Sequence, residues 1–589
     1  MRFPLAAPVM AIGALLVLLG IGQLTWWAPP ETVTVAVPAD APNGPVTVID
    51  AGARETDAED VDITVQSEGT FTLAVGRASD VDAWVADAAH LTVTGVGEDE
   101  LITDFTEGEQ TVPNPSGADL WTSEETAEGT LTHRWMDPGE GEWSILIAAD
   151  GETPAPTAVS ITSPNDTATP WAVPLIILGA LVLVLGIALA FIKPRKTRRE
   201  PAAVGSRAYA RQQHRGRNSG SAFAAHRVRP LAALGLATAL GLTGTAVGNA
   251  TETGSATPSD STTPTESATP ADSASPAESA TPSASPSPAG GDAAQYPVIL
   301  ESQLDRILAS VATTVTEADA AADATLLEPR VAGAAATLRS ANYSVRSQAD
   351  DVPAPTPVAA DPVLTSMIPT GNEWPRTVVA LTQGESNPVP QALVLVQENP
   401  RSNYRLVSSI QMLPGTTFPT AGTPEGLQEI PADGGEDLAA SPQDAMSAIA
   451  DYLTTPDGGN AETFEPNSFA DAITSFQSDV VADAGNDSAE ITFTHESIAE
   501  YTRAVSTGDG GAMVFGYLDH TYSSVPEGPG DSIALEGTVY EALTGEESTE
   551  DGIDVRYGEA VMMYVPAAES DELITVIGAA QQLLSAELR

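Results

Sequence analysis

The sequence predicts a multidomain membrane protein made of transmembrane helices, an all-β sandwich ectodomain and an α+β C-terminal domain. Three observations carry this. The run Trp171 to Ile192 has no charged residue and is long enough to cross a hydrocarbon core of about 30 Å. Both lysines of the chain and a dense set of arginines follow it at once, as in a cytoplasmic loop under the positive-inside rule. Outside this stretch, residues 30 to 165 alternate apolar and polar side chains with period two, whereas residues beyond 293 begin with helical periodicity and turn to strands afterwards.

In order, residues 1–28 read as an N-terminal membrane anchor. The apolar run Phe3 to Leu24 ends in Trp26-Trp27, where a signal peptide would place small residues for cleavage, and paired tryptophans suit a membrane interface. Residues 29–168 read as an extracytoplasmic β-sandwich. Strands are expected at Thr32–Val37, Val61–Gln66, Phe71–Val75, Leu91–Thr94, Leu131–Trp135 and Trp143–Ile147, punctuated by turn formers such as Asn43-Gly44 and Asp137 to Gly141. Trp135 and Trp143 are expected in the core on either side of a tight turn. The pairs Asp60/Asp62 and Asp80/Asp82 offer oxygen ligands to calcium, because an i, i+2 pair on a strand shares one face. Neither pair is followed by the glycine and glutamate of a calcium loop, so acidic surface is the plainer reading.

Residues 169–192 are the second membrane helix and 193–229 the basic cytoplasmic loop. Nucleic acid or anionic lipid would also suit such a loop, but topology alone accounts for its charge. Residues 230–250 hold a weaker apolar run, Leu231 to Val247, built from Leu, Ala, Gly and Thr. It reads either as a third transmembrane helix or as an internal signal sequence cut after Ala250, and in both cases the remainder is exported. Residues 251–292 are a Ser/Thr/Pro/Ala-rich disordered stalk, too poor in apolar side chains to offset the entropy of ordering, which would hold the last domain away from the membrane.

Residues 293–589 form the α+β domain. Leu300, Leu304, Ile307, Leu308, Val311 and Val315 make one apolar stripe of a helix, and an alanine-rich helix follows through Val331 to Leu338. Strands are expected at Thr377–Leu381, Ala392–Val396 and Tyr404–Met412. The order then restarts: helices Ala445–Leu453, behind the Ser441-Pro-Gln-Asp444 cap, and Ser468–Phe476 precede strands at Ile491–Thr494, Arg503–Ser506, Ala512–Leu518, Gly537–Tyr540, Ala560–Val565 and Leu573–Ile577, with a closing helix at Ala579–Leu588. Two related halves would give this order.

The segments Glu301–Arg306, Trp374–Leu381 and Val389–Val396 resemble an actinobacterial family of exported, membrane-tethered domains known as a domain of unknown function. The order of helices and curved sheet is also similar to the cone fold of nuclear-transport-factor-2-like domains. The resemblance implies export and tethering, and brings no catalytic residues.

The formal charge of −55, with the basic residues gathered in one loop, disfavours nucleic acid as a partner of the exported parts. Cysteine is absent, which excludes disulfide scaffolds, thiol nucleophiles and Cys-ligated zinc. His495-Glu496 lacks the second histidine of a metalloprotease helix, Ala499 standing in its place. His520, near Asp519 and Tyr517, is a candidate base, with a solvent-facing histidine at a strand end as the plainer reading. Leu413 to Thr417 only partly matches a sortase signal. The sequence therefore assigns no catalytic, cofactor-binding or metal residue, and no cofactor. The expected role is a non-enzymatic cell-membrane protein, multi-pass and mostly extracytoplasmic, whose partners are the lipid bilayer and an envelope protein or polysaccharide. The alternative is an enzyme or enzyme accessory acting on cell-wall polysaccharide through a carboxylate pair in the C-terminal domain.

Overall fold

The computed structural model describes residues 3–54, 61–165, 167–191, 296–349, 351–385, 387–419 and 426–589. The basic loop, the apolar run Leu231 to Val247 and the stalk lie outside them. Two helices, α1 (Phe3–Leu24) and α3 (Ala172–Phe191), are apolar all round and long enough to cross a membrane. They meet along glycines. A Cβ at Gly13 would lie 2.5 Å from the backbone nitrogen of Leu183, and one at Gly179 would lie 2.7 Å from that of Val17. Such backbone approach between apolar helices requires small residues at the crossing.

Between these helices the chain forms β1 (Thr32–Ala36), β2 (Val46–Ile49), β3 (Val61–Arg77), α2 (Ala78–Val85), β4 (His90–Val96), β5 (Leu101–Thr106), β6 (Ser123–Trp135), β7 (Trp143–Ala148) and β8 (Ala158–Pro164). They make one sheet of order β1-β8-β3-β7-β2-β4-β5, with β6 on the free side of β3. The expected two-sheet sandwich is therefore corrected to a single curled sheet. The reason lies in β3, expected as two strands. It is one strand of 17 residues that pairs with β8 through Asp62–Gln66 and with β7 through Thr72–Arg77, bending at a register shift between Gln66 and Thr70. The curl brings the end strands together through a bridge between Ala36 and Glu100. Trp135 and Trp143 lie in the enclosed core, as expected.

The C-terminal body contains α4 (Glu301–Ala321), α5 (Gly333–Arg346), β9 (Val363–Met367), β10 (Arg376–Gly384), β11 (Asn387–Gln397), β12 (Arg405–Gln411) and β13 (Glu429–Ile430), then α6 (Pro442–Thr454), α7 (Ser468–Ala482), β14 (Ala489–Ser497), β15 (Arg503–Ser506), β16 (Ala512–Pro526), β17 (Ile533–Ala534), α8 (Val539–Thr544), β18 (Ser548–Thr549), β19 (Ile553–Val565) and β20 (Thr575–Leu588). The expected apolar stripe of α4 is buried on the four-stranded antiparallel sheet β12-β11-β10-β9, against Val378, Ala380, Leu393 and Leu395. The alternate residues of the same strands, Val379, Leu381, Ala392 and Val394, face Met513, Phe515, Ala560 and Met562 of the second sheet. The far face of that sheet, through Val514, Leu518, Val561 and Met563, carries α6 and α7. Helices, sheet, sheet and helices thus stack in four layers. This explains why β10 and β11 read as nearly unbroken apolar runs: both faces are buried. A helix pair followed by a sheet occurs twice, as the sequence order suggests.

Two expectations fail locally. The closing helix at Ala579–Leu588 is instead part of β20, because β19 offers an edge that pairs with it from Ile553 to Tyr564, and that pairing overrides the helical preference of Ala, Gln, Leu and Glu. The strand at Gly537–Tyr540 is instead the start of α8, whose first turn is capped by Thr538 accepting from the amides of Tyr540 and Glu541.

Pro4–Gly186 and Gly291–Arg589 belong to one compact unit. The curled sheet docks on the C-terminal body through α2 and the loop carrying Asp119, Leu120 and Trp121. Arg376 Nη2 donates to Asp80 at 2.6 Å with both side chains buried, and Arg330 holds Asp119 through both terminal nitrogens. The Asp119 carboxylate also accepts from the Tyr404 amide, and Gln303 donates to the carbonyls of Asp119 and Leu120. Arg401 donates to Trp84 O and Val85 O, carbonyls that the C-terminal end of α2 leaves without helical partners. The curled sheet and the C-terminal body are therefore in contact.

Candidate functional site

A cleft of about 810 Å³ opens where the loop before β10 meets β13 and β15. Hydrogen bonds knit its walls. The amide and hydroxyl of Thr377 donate to the two carboxylate oxygens of Glu429 at 3.0 and 2.5 Å, and the Thr370 amide donates to Leu427 O. Burial raises the Glu429 carboxyl above its ordinary value, outweighing the Thr377 hydrogen bonds and the nearby Arg503 charge.

Two arginines supply the chemistry of the lining. Arg376, at the head of β10, has its guanidinium carbon 3.7 Å from the Trp374 ring centroid, and its bond to Asp80 uses only Nη2. Its Nε and Nη1 are buried without a partner. Arg503, at the head of β15, donates through Nη1 to Glu500 O and Thr502 O, while its Nε is buried and unpartnered. The docked sheet fixes this arrangement, since Asp80 on α2 orients Arg376 and Trp374 packs against the Trp84 and Trp121 cluster.

The residues singled out from sequence lie elsewhere. Asp60 is outside the described residues, and Asp62 is exposed on β3. Asp80 and Asp82 stand on α2 rather than a strand, with Asp80 buried against Arg376 and Asp82 exposed, so the shared face expected for calcium does not form. Leu413 to Thr417 is a turn tied to Ile577 O through the Leu413 amide. Asp519 pairs with Arg556, and Tyr517 meets Tyr501 edge to face.

His520 is the main correction. It is not at a solvent-facing strand end but in the middle of β16, 2% exposed, opposite His495 of β14. The two rings stack with centroids 4.0 Å apart, and His520 Nδ1 lies 3.0 Å from Glu559 Oε1 of β19. Burial holds the His495 imidazole below its ordinary value. For Glu559, burial pushes the carboxyl up, but the facing imidazoles, His520 Nδ1 at 3.0 Å and His495 Nε2 at 3.7 Å from Oε1, outweigh it and hold the group down to about 2. The missed signal was parity. His495, His520 and Glu559 occupy positions that continue the inward-facing alternation of Ile491 and Phe493, of Val514 and Leu518, and of Val561 and Met563.

Comparison with protein families falls on this same body. Residues 295–587 match the family described as Domain of unknown function (DUF8094). The DUF8094 domain therefore covers the C-terminal half, with the arginine cleft and the histidine pair both inside it. No curated protein and no solved structure matches the chain.

Proposed function

We propose that this chain is a membrane-anchored envelope protein that binds a ligand bearing an anionic group in the arginine cleft, without catalysing a reaction. The observation that carries this reading is that Arg376 and Arg503 both line one preformed cleft and between them hold three buried nitrogens without a hydrogen-bond partner. A buried N–H without an acceptor is costly, and a guanidinium fork matches carboxylate or phosphate oxygens. Glu429 has both oxygens committed to Thr377, which favours binding over carboxylate-pair chemistry. Each half, with its helices over a curved sheet, is read as a cone-like unit. The interior of the first is filled by apolar side chains and that of the second by apolar side chains and the buried His495, His520 and Glu559, which leaves the cleft as the open site.

The anchoring is part of the proposal. α1 and α3 form a glycine-packed hairpin that crosses the bilayer, with the curled sheet on the outer side. Because that sheet is docked on the DUF8094 domain, both stand on one side, and the chain leaving α3 has to cross back before residue 296. The run Leu231 to Val247 supplies that crossing.

The binding reading is tested on the full chain in detergent by thermal unfolding with glucuronate, phosphate and neutral glucose. At least one anion should raise the melting temperature and glucose should not. Arg503→Ala should weaken anion binding about tenfold or more, since a hydrogen bond to a charged group contributes about 1.5–3 kcal/mol. No response to either anion, or an equal response in the variant, overturns the reading.

A further inference from the structure

We propose that His495, His520 and Glu559 bind one divalent transition-metal ion of the zinc class, which ties β14, β16 and β19 together beneath α6. One donor atom from each residue lies within 4.8 Å of the others, and all three residues are buried. Three atoms stand out. His495 Nε2, His520 Nε2 and Glu559 Oε2 are buried with no hydrogen-bond partner. The donor atoms that face one another are His495 Nε2, His520 Nδ1 and Glu559 Oε1, with Oε1 3.7 Å from the first and 3.0 Å from the second, so one cation placed among them takes a lone pair from each.

The donor set suits that class of ion. Two imidazoles and a carboxylate are intermediate ligands that favour zinc and its transition-metal neighbours over calcium or magnesium, which take oxygen. Ligands about a tetrahedral zinc stand roughly 3.3–3.6 Å apart, with bonds of about 2.0–2.2 Å, and the 3.7 and 3.0 Å separations around Glu559 Oε1 bracket that spacing.

Groups behind the donors are placed to orient them. Gln581 of β20 donates through Nε2 to Glu559 Oε1 at 2.9 Å, which fixes the carboxylate between the two imidazoles. Thr454, at the end of α6, has its hydroxyl 3.5 Å from His495 Nδ1 and accepts from the His495 amide at 2.8 Å. An imidazole held at Nδ1 presents Nε2 to a metal. The burial of the cluster makes the role structural: the ion cross-links three strands and, through Thr454, the helix over them. The site is separate from the arginine cleft, which none of these three residues lines.

The test uses the full chain in detergent, stripped with EDTA, incubated with ZnCl₂ and desalted. About one zinc per chain should be retained, and the melting temperature should rise with zinc and fall back on adding EDTA. His520→Gln and Glu559→Gln should each lose stoichiometric retention, while His90→Gln, at a partly exposed histidine bonded to Ala88 O, should keep it. Gln581→Ala should retain the fold and weaken zinc binding about 10–100-fold, as loss of a group orienting a ligand does. Should the ligand variants fail to fold, Co²⁺ loaded into the unaltered chain gives a second measurement, expected to show the visible absorption of a low-coordinate imidazole site. Zinc retention that is absent in the unaltered chain, or that persists in a folded His520→Gln or Glu559→Gln variant, overturns the proposal, as does cobalt with only its aqueous spectrum.

Discussion

At the scale of single residues, the cleft couples charge to stability. Glu429 is pushed above its ordinary value by burial, so the folded state prefers its protonated form. A raised folded value means that this contribution is complete below the ordinary glutamate value, and is lost as pH rises through the folded one. Glu429→Gln removes the titration while keeping an acceptor for Thr377. The melting temperature of the variant should therefore overtake that of the unaltered chain progressively as pH rises from below 4.5 toward neutrality. Parallel pH profiles would mean that Glu429 does not titrate differently on folding. Its side chain also shares the lining with Arg503, so the same variant should bind an anionic probe more tightly. His495 and His520 carry the opposite lesson. Each was legible as a residue type, but their meeting was not. It depends on the register that sets His495 opposite His520, and on β19 joining the far side of β16, which spacing along the chain does not encode.

At the scale of elements, legibility followed how far each segment's own pattern agreed with its surroundings. α4 was legible because its apolar stripe and its buried face coincide. β10 and β11 were legible as runs of β-branched residues, although only the four-layer stack explains why both of their faces are apolar. β20 was not, since its Ala, Gln and Leu residues favour a helix and only the edge of β19 makes them a strand. α2 was missed for a related reason. Its eight residues follow β3 directly, and their amphipathic face, Val81, Trp84 and Val85, is completed by packing on the outside of the curled sheet. The hairpin of α1 and α3 makes a sharper test of element packing. A side chain at Gly179 would strike the backbone of α1, which cannot rotate away. Gly179→Leu should lower stability in detergent by about 1–3 kcal/mol, as forced overpacking does. Leu181→Ala, at an exposed position of the same helix, should change it by about 0.5 kcal/mol or less. Equal melting temperatures for the two variants would remove the glycine contact from the account.

At the scale of the whole molecule, the docked interface decides what processing would do. A stalk-borne domain cut after Ala250 would diffuse away, whereas a domain held by Asp80, Asp119 and Trp374 should stay. The two ion pairs are buried or nearly so, and buried pairs are screened by salt far less than surface ones. Removing one partner of such a pair leaves an uncompensated charge, at a cost of about 3–5 kcal/mol. A protease site placed between residues 250 and 292 gives the measurement. After cutting, residues 293–589 of the unaltered chain should remain with washed membranes even in high salt. In an Asp80→Ala/Asp119→Ala variant they should appear in the wash. Because the chain has no native cysteine, single cysteines at the exposed positions Glu68 and Ser570 report sidedness directly, and both should react with an impermeant maleimide on intact cells, while one at Ser206 should not. Labelling of only one of the first two positions would place the bodies on opposite sides of the membrane, which docking forbids. Release of the unaltered domain into the wash would show that the interface does not hold once the covalent link is gone.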